Sequence, residues 1–367
     1  MSVPIGVGGR PVEDTAGFEE LLRPWDGEQV VVRYDHATGA WMFVCMHSSR
    51  LGPATGGTRM RVYPSASDAL VDGLRLSAAM TRKLAVVGLP FGGGKAVLAV
   101  EAIPTGDRRR MLIERYADLV ASLRGAFLTG EDMNITVADV DLIGTRAPYV
   151  FCRSVAVGGS GDPSPSTALG VLHGIRASLE QVTGSGALRG RSVVVQGVGA
   201  VGSHLAELLA HEGAAVTVGD VASDRARALA DRIGARLVSA DAVFDEPCDV
   251  FAPCAIGGII NADTIPRLRC TVVAGSANNQ LAEPEDDERL RARGVLYAPD
   301  YVINAGGILQ GVGIEALHWT RALLEERLAG IGDTLRQIFR EAHAEGITTN
   351  DAAERLAHAR LVGARPA

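Results

Sequence analysis

The chain has 367 residues, enough for two domains, with 47% hydrophobic and 22% charged residues, the balance of an ordinary globular protein. A net charge of −7 and an aromatic content of 5% argue against a nucleic-acid binder, which needs a basic face and stacking rings. No run of 18 apolar residues reads as a membrane span, no secretory start is legible, and the five cysteines (Cys45, Cys152, Cys248, Cys254, Cys270) show neither a CxxC pair nor zinc-ligand spacing. A reduced, cytoplasmic setting without a metal is therefore expected.

In chain order, residues 1–25 read as a loose lead-in with a short helix around Glu19–Leu22. "QVVVRYD" (29–35) and "AWMFVCMH" (40–47) are β-rich runs split by "HATG", a hairpin signal. A helix is expected over 65–88, opened by serine and aspartate, with Leu70, Leu74, Leu76 and Met80 at helical spacing. Lys83 falls at its end. "AVLAV" (96–100) reads as a buried strand that Lys95 enters from three glycines, which would let backbone pass close to a substrate. A helix over 110–123 and a strand running into the polar loop of "AFLTGEDMN" (126–134) follow. The Gly/Ser/Pro-rich stretch 157–170 reads as a hinge. After it a helix runs to about Val182, then strands "SVVVQ", "AAVTVGD", "CDVFAPC", "CTVVAGS" and "GVLYAP" alternate with helices. That alternation predicts a parallel sheet covered on both faces. From Ile308 onward the pattern is helical.

"SVVVQ" leads into "GVGAVG", with Gly197, Gly199, Val201 and Gly202, and a helix follows. The first glycine makes the turn, the second lets backbone approach a pyrophosphate, and the third lets helix and strand pack closely. The helix N-terminus offers free N–H groups to phosphate. The second strand ends at Asp220, placed to accept ribose hydroxyls and to repel a 2′-phosphate, so NAD is expected over NADP; Arg225 and Arg227 lie close by. "FGGGKA" is no Walker loop, because Leu89 and Ala96 break that pattern.

Of the 36 Lys+Arg residues only Lys83 and Lys95 are lysine. Arginine keeps its charge in a protein, whereas a lysine can lose a proton beside another cation. Two lysines in one cleft, with Asp132 of "TGEDMN" as a proton partner, suit a small amino acid or oxo acid: one clamps a carboxylate, the other is a general base. A hydroxy-acid dehydrogenase would instead use a histidine–acid pair.

These segments carry a specific resemblance. "LGPATGGTRM" (51–60), "MTRKLAVVGLPFGGGKAV" (80–97), "TGEDMNITVADVD" (129–141), "GDPSPSTALG" (161–170), "QGVGAVG" (196–202), "DVFAPCAIGG" (249–258), "AGSANNQLA" (274–282) and "APDYVINAGGI" (298–308) resemble the leucine/phenylalanine/valine branch of the Glu/Leu/Phe/Val amino-acid dehydrogenases, in family order. The resemblance implies an α/β fold of two domains, an N-terminal α/β catalytic domain and a C-terminal Rossmann-type doubly wound sheet, separated by an active-site cleft that closes on binding. It places the substrate and oligomerisation domain at 1–160, the NAD domain at 161–320, and C-terminal helices returning to the first domain at 321–367. It implies NAD-dependent, reversible oxidative deamination of an L-amino acid to the 2-oxo acid and ammonia, by a homo-oligomer.

Carried over by motif, Lys83 holds the substrate carboxylate, Lys95 is the general base that activates water against the imine, and Asp132 serves the amino group. Gly57, Met80, Gly130, Asn278, Ile308 and Gly311 are implied on the substrate side. Gly197, Gly199, Val201, Gly202, Asp220, Ala255, Asn278 and Asn304 are implied on the cofactor side. Gly130 and the segment "GIEALHW…ERLAGIGDTLRQIF" (313–339) resemble the phenylalanine branch and Gly311 would leave room for a large side chain, whereas Thr55 and Ile308 depart from the usual choices. Phenylalanine is therefore favoured, with leucine or valine next and tryptophan open. The rivals are a non-catalytic NAD-sensing relative, which would lose one of Lys83, Lys95 and Asp132, and a biosynthetic reductase of a specialised oxo acid or imine.

Overall fold

Two six-stranded sheets organise residues 18–363, the part described by this computed structural model; the expected lead-in before Phe18 lies outside it. A short helix α1 (Phe18–Trp25) precedes the hairpin of β1 (Gln29–Asp35) and β2 (Ala40–Met46). The hairpin turn closes as Thr38 donates its N–H to the Asp35 carboxylate at 3.0 Å, with Gly39 at a φ of 71°. Then come β3 (Ala54–Thr55), β4 (Thr58–Arg61), α2 (Ala66–Val86), β5 (Gly92–Ala99), α3 (Gly106–Ser122), β6 (Phe127–Leu128) and α4 (Val137–Gly144). The first sheet runs β1-β2-β5-β3-β6, with β4 beside β5.

Ser65 caps α2 by accepting the Asp68 N–H. The α2 face carrying Leu70, Leu74 and Leu84 is buried, and the helix lies along β5. β3 and β4, on either side of Gly56 and Gly57, were not expected, being too short to show alternation. β5 begins at Gly92, so the three glycines before Lys95 are strand residues, every one buried. A Cβ on Gly92 would lie 1.8 Å from the Ser48 carbonyl oxygen, on Gly93 2.1 Å from the Thr81 nitrogen, and on Gly94 2.8 Å from the Phe127 ring. These glycines admit neighbouring protein, not a substrate.

The second sheet follows α5 (Ser164–Thr183). It comprises β7 (Ser192–Gln196), β8 (Ala215–Gly219), β9 (Arg236–Leu237), β10 (Val250–Pro253), β11 (Val272–Val273) and β12 (Leu296–Tyr297), in the order β12-β11-β10-β7-β8-β9 with every pair parallel. Helices α6 (Ala200–His211), α7 (Ser223–Ile233) and α8 (Glu285–Ala292) connect strands, as the doubly wound reading requires. The helix expected between β10 and β11 is only a 3₁₀ turn, Ile265–Arg267, with Pro266 in its first turn. The chain ends in α9 (Asp300–Ile303), α10 (Gly306–Glu315), α11 (Arg321–Glu345) and α12 (Thr349–Gly363). α11 lies along α5 and α10, and α12 lies against α2 and α11. Among the described residues no helix is long and apolar enough to cross a membrane.

Candidate active site

Lys83 lies in the last turn of α2, where unpaired carbonyls favour a cation. Lys95 lies mid-strand in β5, beneath that helix. Because Gly93 has no side chain, the Thr81 backbone of α2 seats directly on the strand, and both amines reach one cavity of about 570 Å³. Gly57, Met80 and Asp132 line it from the first sheet's side, and Asn278 and Ile308 from the second.

The polar end is densely bonded. Lys83 Nζ donates to Asn304 Oδ1 at 2.6 Å, and Asn304 Nδ2 donates to Asn278 Oδ1 at 2.7 Å and to the Ser276 carbonyl at 3.2 Å. Lys95 Nζ is 3.1 Å from Asp132 Oδ2, which also accepts from Arg59 Nε at 2.8 Å. Arg59 in turn holds Asp72 at 3.0 Å. Gly57 permits this crowding, since a Cβ there would lie 2.4 Å from the Glu131 carbonyl oxygen.

Burial pulls the Lys83 ammonium down to about 8; nearby Asp300 and Asp132 oppose the shift, and Lys95 adds to it. Lys95 is lowered as well, first by burial, with Asp132 opposing and Arg59 reinforcing. Burial works to raise Asp132, but Lys95 and Arg59 outweigh it and hold the carboxyl below its usual range. The site therefore holds a carboxylate between Arg59 and Lys95, and burial draws both amines below the ordinary lysine value.

Sequence reasoning passed over Arg59 and Asp300, although both stand in the quoted segments. Asp300 lines the cavity, accepts the Gln280 backbone N–H at 2.8 Å, and is raised by its burial. Gly130 and Gly311 do not fit their expected place. Neither borders the cavity: a Cβ on Gly130 would lie 2.5 Å from the Phe151 ring, and one on Gly311 2.6 Å from Cys152 Sγ. The room they leave is filled by protein. Thr55 is fully buried and donates its hydroxyl to the Pro53 carbonyl at 3.0 Å, away from the cavity.

The nucleotide residues gather where β7 and β10 adjoin and the strand order reverses, the place in such sheets where a dinucleotide binds. Gly197 has a φ of 90°, and a Cβ there would lie 2.5 Å from that of Ala255, so the two loops touch. A Cβ on Gly202 would lie 2.0 Å from the Gly197 carbonyl oxygen, so only glycine lets α6 close on its loop. Gly199, at the N-cap of α6, faces nothing within 4 Å and gives the helix no side-chain cap. That open cradle suits a pyrophosphate. Val201 is half-buried in the first turn of α6. Asp220 accepts the Val198 and Ala222 N–H groups, both at 2.7 Å, and Arg225 donates to both its oxygens. Burial raises this carboxyl, but those N–H groups and Arg225 hold it anionic, as ribose recognition requires.

A family model described as Glu/Leu/Phe/Val dehydrogenase, dimerisation domain, matches residues 29–149, and one described as Glutamate/Leucine/Phenylalanine/Valine dehydrogenase matches 158–224 and 221–366. A leucine dehydrogenase of Thermoactinomyces intermedius is 41% identical over 93% of each chain. A phenylalanine dehydrogenase of the same organism is 39% identical, again over 93% of each. Among solved structures, L-tryptophan dehydrogenase from Nostoc punctiforme superposes with a TM-score of 0.83 at 38% identity, covering 94% of this chain and 98% of that one. These near-equal identities fix the type of reaction and leave the side chain undecided. The chain thus belongs to the Glu/Leu/Phe/Val dehydrogenase family and is an NAD-dependent amino-acid dehydrogenase.

Proposed function

We propose that the chain reversibly deaminates an apolar L-amino acid to its 2-oxo acid and ammonia, with residues of both halves meeting at one cavity. The observation that carries this reading is the convergence of Lys83, Lys95 and Asp132 on that cavity, with Asn278 and Asn304 facing them from the second half. Lys83, charged, pairs with the substrate carboxylate. Lys95, once neutral, accepts the proton of the water that attacks the imine. Asp132, poised against Lys95, takes and returns the proton of the amino group. NAD, when bound, accepts the hydride. Gly197, Gly199, Val201, Gly202, Asp220 and Ala255 hold its adenosine and phosphates, and Asn278 and Asn304 orient its nicotinamide side. Arg59, which also lines the cavity, is taken up by Asp132 and Asp72, so a glutamate side-chain carboxylate is disfavoured.

The roles divide along the chain: residues 1–160 for substrate and oligomer contacts, 161–320 for the nucleotide, and 321–367 for closing helices, with α12 the one on α2. A homo-oligomer built through the first unit is supported by the dimerisation description of the matching model. We assign the protein to the cytoplasm.

A panel of L-amino acids with NAD, followed at the absorbance of the reduced cofactor, tests the reading. Phenylalanine, leucine, valine and tryptophan are the arms that separate its substrates. Lys95→Ala and Lys95→Arg are expected to lose deamination by about a hundredfold or more, the factor a positioned general base supplies. Near-normal turnover in either variant would remove Lys95 from that role.

A further inference from the structure

Cys248 and Cys270 lead into neighbouring parallel strands of the second sheet, β10 and β11. Each stands two residues before a paired position, Val250 facing Val272. The two chains already run side by side there, since Cys248 donates its N–H to the Arg269 carbonyl at 3.1 Å. Both side chains pack against one apolar cluster, which includes Phe251, Leu268 and Val273, so they share a face of the sheet. The Cys248 thiol is hydrogen-bonded to the Cys270 sulfur. Paired strands lie about 4.7–4.9 Å apart, inside the window of about 4.4–6.8 Å that a disulfide needs between its Cα atoms. Both residues lie just ahead of their strands, where the backbone can still adjust.

The other three cysteines differ. Burial pushes the Cys45 and Cys152 thiols up to about 12 and raises Cys254 as well, so all three stay protonated. Of the five, only Cys270 is lowered. The Cys248 S–H supports its anion first, burial opposes, and the backbone of Phe251 and Val272 and the Arg293 guanidinium add to the lowering. Arg293 is held close by its own bond to the Leu268 carbonyl at 3.0 Å. Cys248 is raised, chiefly because it is the donor in the thiol–thiol bond. Both residues are half-buried, so a small oxidant can reach them from solvent. A supported thiolate beside a second thiol is the arrangement of a redox couple.

We propose that Cys248 and Cys270 form a reversible, peroxide-driven disulfide that staples β10 to β11, with Cys270 the attacking sulfur and Cys248 the resolving one. The Cys270 thiolate attacks one oxygen of hydrogen peroxide. The O–O bond breaks, hydroxide leaves and takes up a proton, and the sulfur becomes a sulfenic acid. Cys248 then attacks that sulfur, the S–S bond forms, and the hydroxyl departs with the Cys248 proton as water. Two thiols give up two electrons and two protons, and one peroxide is reduced to two waters. A dithiol reductant reverses the bridge by exchange. The bridge closes residues 249–269, which include Ala255 beside Gly197, but it sits at the opposite end of β10 from that loop. It stiffens the sheet and spares the nucleotide turn.

The test treats the full-length protein with a few equivalents of hydrogen peroxide, alkylates the remaining thiols and maps the peptides by mass spectrometry. One linked Cys248–Cys270 peptide, removed by dithiothreitol, is expected, with Cys45, Cys152 and Cys254 alkylated. With dimedone present, Cys248→Ser should carry the sulfenic adduct at Cys270, whereas Cys270→Ser should carry none at Cys248. Oxidation should raise the wild-type Tm by a few degrees and leave that of either serine variant unchanged. Amino-acid-dependent reduction of NAD should persist in the oxidised protein. No linked peptide, or one joining either cysteine to a different partner, overturns the pair. An adduct on Cys248 in Cys270→Ser overturns the assignment of roles. A lower Tm on oxidation overturns the alignment of the two thiols, and lost turnover overturns the claim that the staple spares the nucleotide turn. The linked peptide, the adducts and the Tm are read without turnover, so they stand apart from the deamination reading.

Discussion

Lys83 keeps its proton in a buried place because Asp300 lies beside it, the largest of the influences opposing burial. The carboxylate clamp proposed for Lys83 works only while that ammonium is charged, so on that proposal Asp300 acts through Lys83 as a positioning residue. Asp300→Asn removes the charge, while its amide oxygen can still accept the Gln280 N–H. The sign follows directly. Without the anion, the Lys83 pKa falls below its present value of about 8, and at pH 8 fewer molecules carry the cation. A fall of about one unit cuts the charged fraction roughly fivefold there and very little at pH 6.5. KM for the amino acid is expected to rise by about that factor at pH 8 and to approach wild type toward pH 6.5. kcat should change little, because a bound carboxylate restores the proton. A pH-independent KM change would show that Asp300 merely supports the loop.

At the scale of elements, the α2–β5 contact brings the two lysines together, and glycine at 93 permits it. Gly93→Ala would drive a methyl into the Thr81 backbone and lift α2 from the strand. Overpacking of this kind costs about 1–3 kcal/mol. Stability should fall by that amount in urea titrations, and kcat/KM for the amino acid should drop while the Kd for NAD holds. Equal loss of both would mean that α2 does not position the substrate side alone. The same contact shows what could be read beforehand. The β1–β2 hairpin, α2 and the "GVGAVG" turn were legible because their signals are local: alternation, a serine cap, glycines at fixed spacing. β3, β4 and β9 were not, since runs of two to four residues carry no period. Lys83, Lys95 and Asp132 stood out by residue type and motif. Arg59 and Asp300 did not, because arginine is common in this chain and their partners are remote in sequence. Gly130 and Gly311 were legible as glycines but not as neighbours of Phe151, since what fills a space is decided by packing across elements.

Over the whole molecule, the substrate end rests on the first sheet, and the chain's last helix braces it there. Arg360 of α12 donates to the carbonyls of Ala85, at 3.2 Å, and Val86, the final turn of α2 just beyond Lys83. The Ala85 carbonyl also accepts the Gly88 N–H at 3.0 Å, and the guanidinium gives the Val86 carbonyl a partner while complementing the helix dipole. Helix α6 and strands β7 and β8, to which the phosphate and ribose contacts are assigned in the proposed function, lie outside this brace. The two halves should therefore respond differently when it is cut. Arg360→Met keeps the apolar stem and removes the donors. Leaving the α2 end unsatisfied is expected to cost about 1–3 kcal/mol, seen as a lower Tm. Because α2 carries Lys83, KM for the amino acid should rise, while NAD affinity in a binding titration stays within about twofold of wild type. Loss of NAD affinity with an unchanged amino-acid KM would instead tie α12 to the nucleotide half, and the division of labour between the two sheets would have to be redrawn.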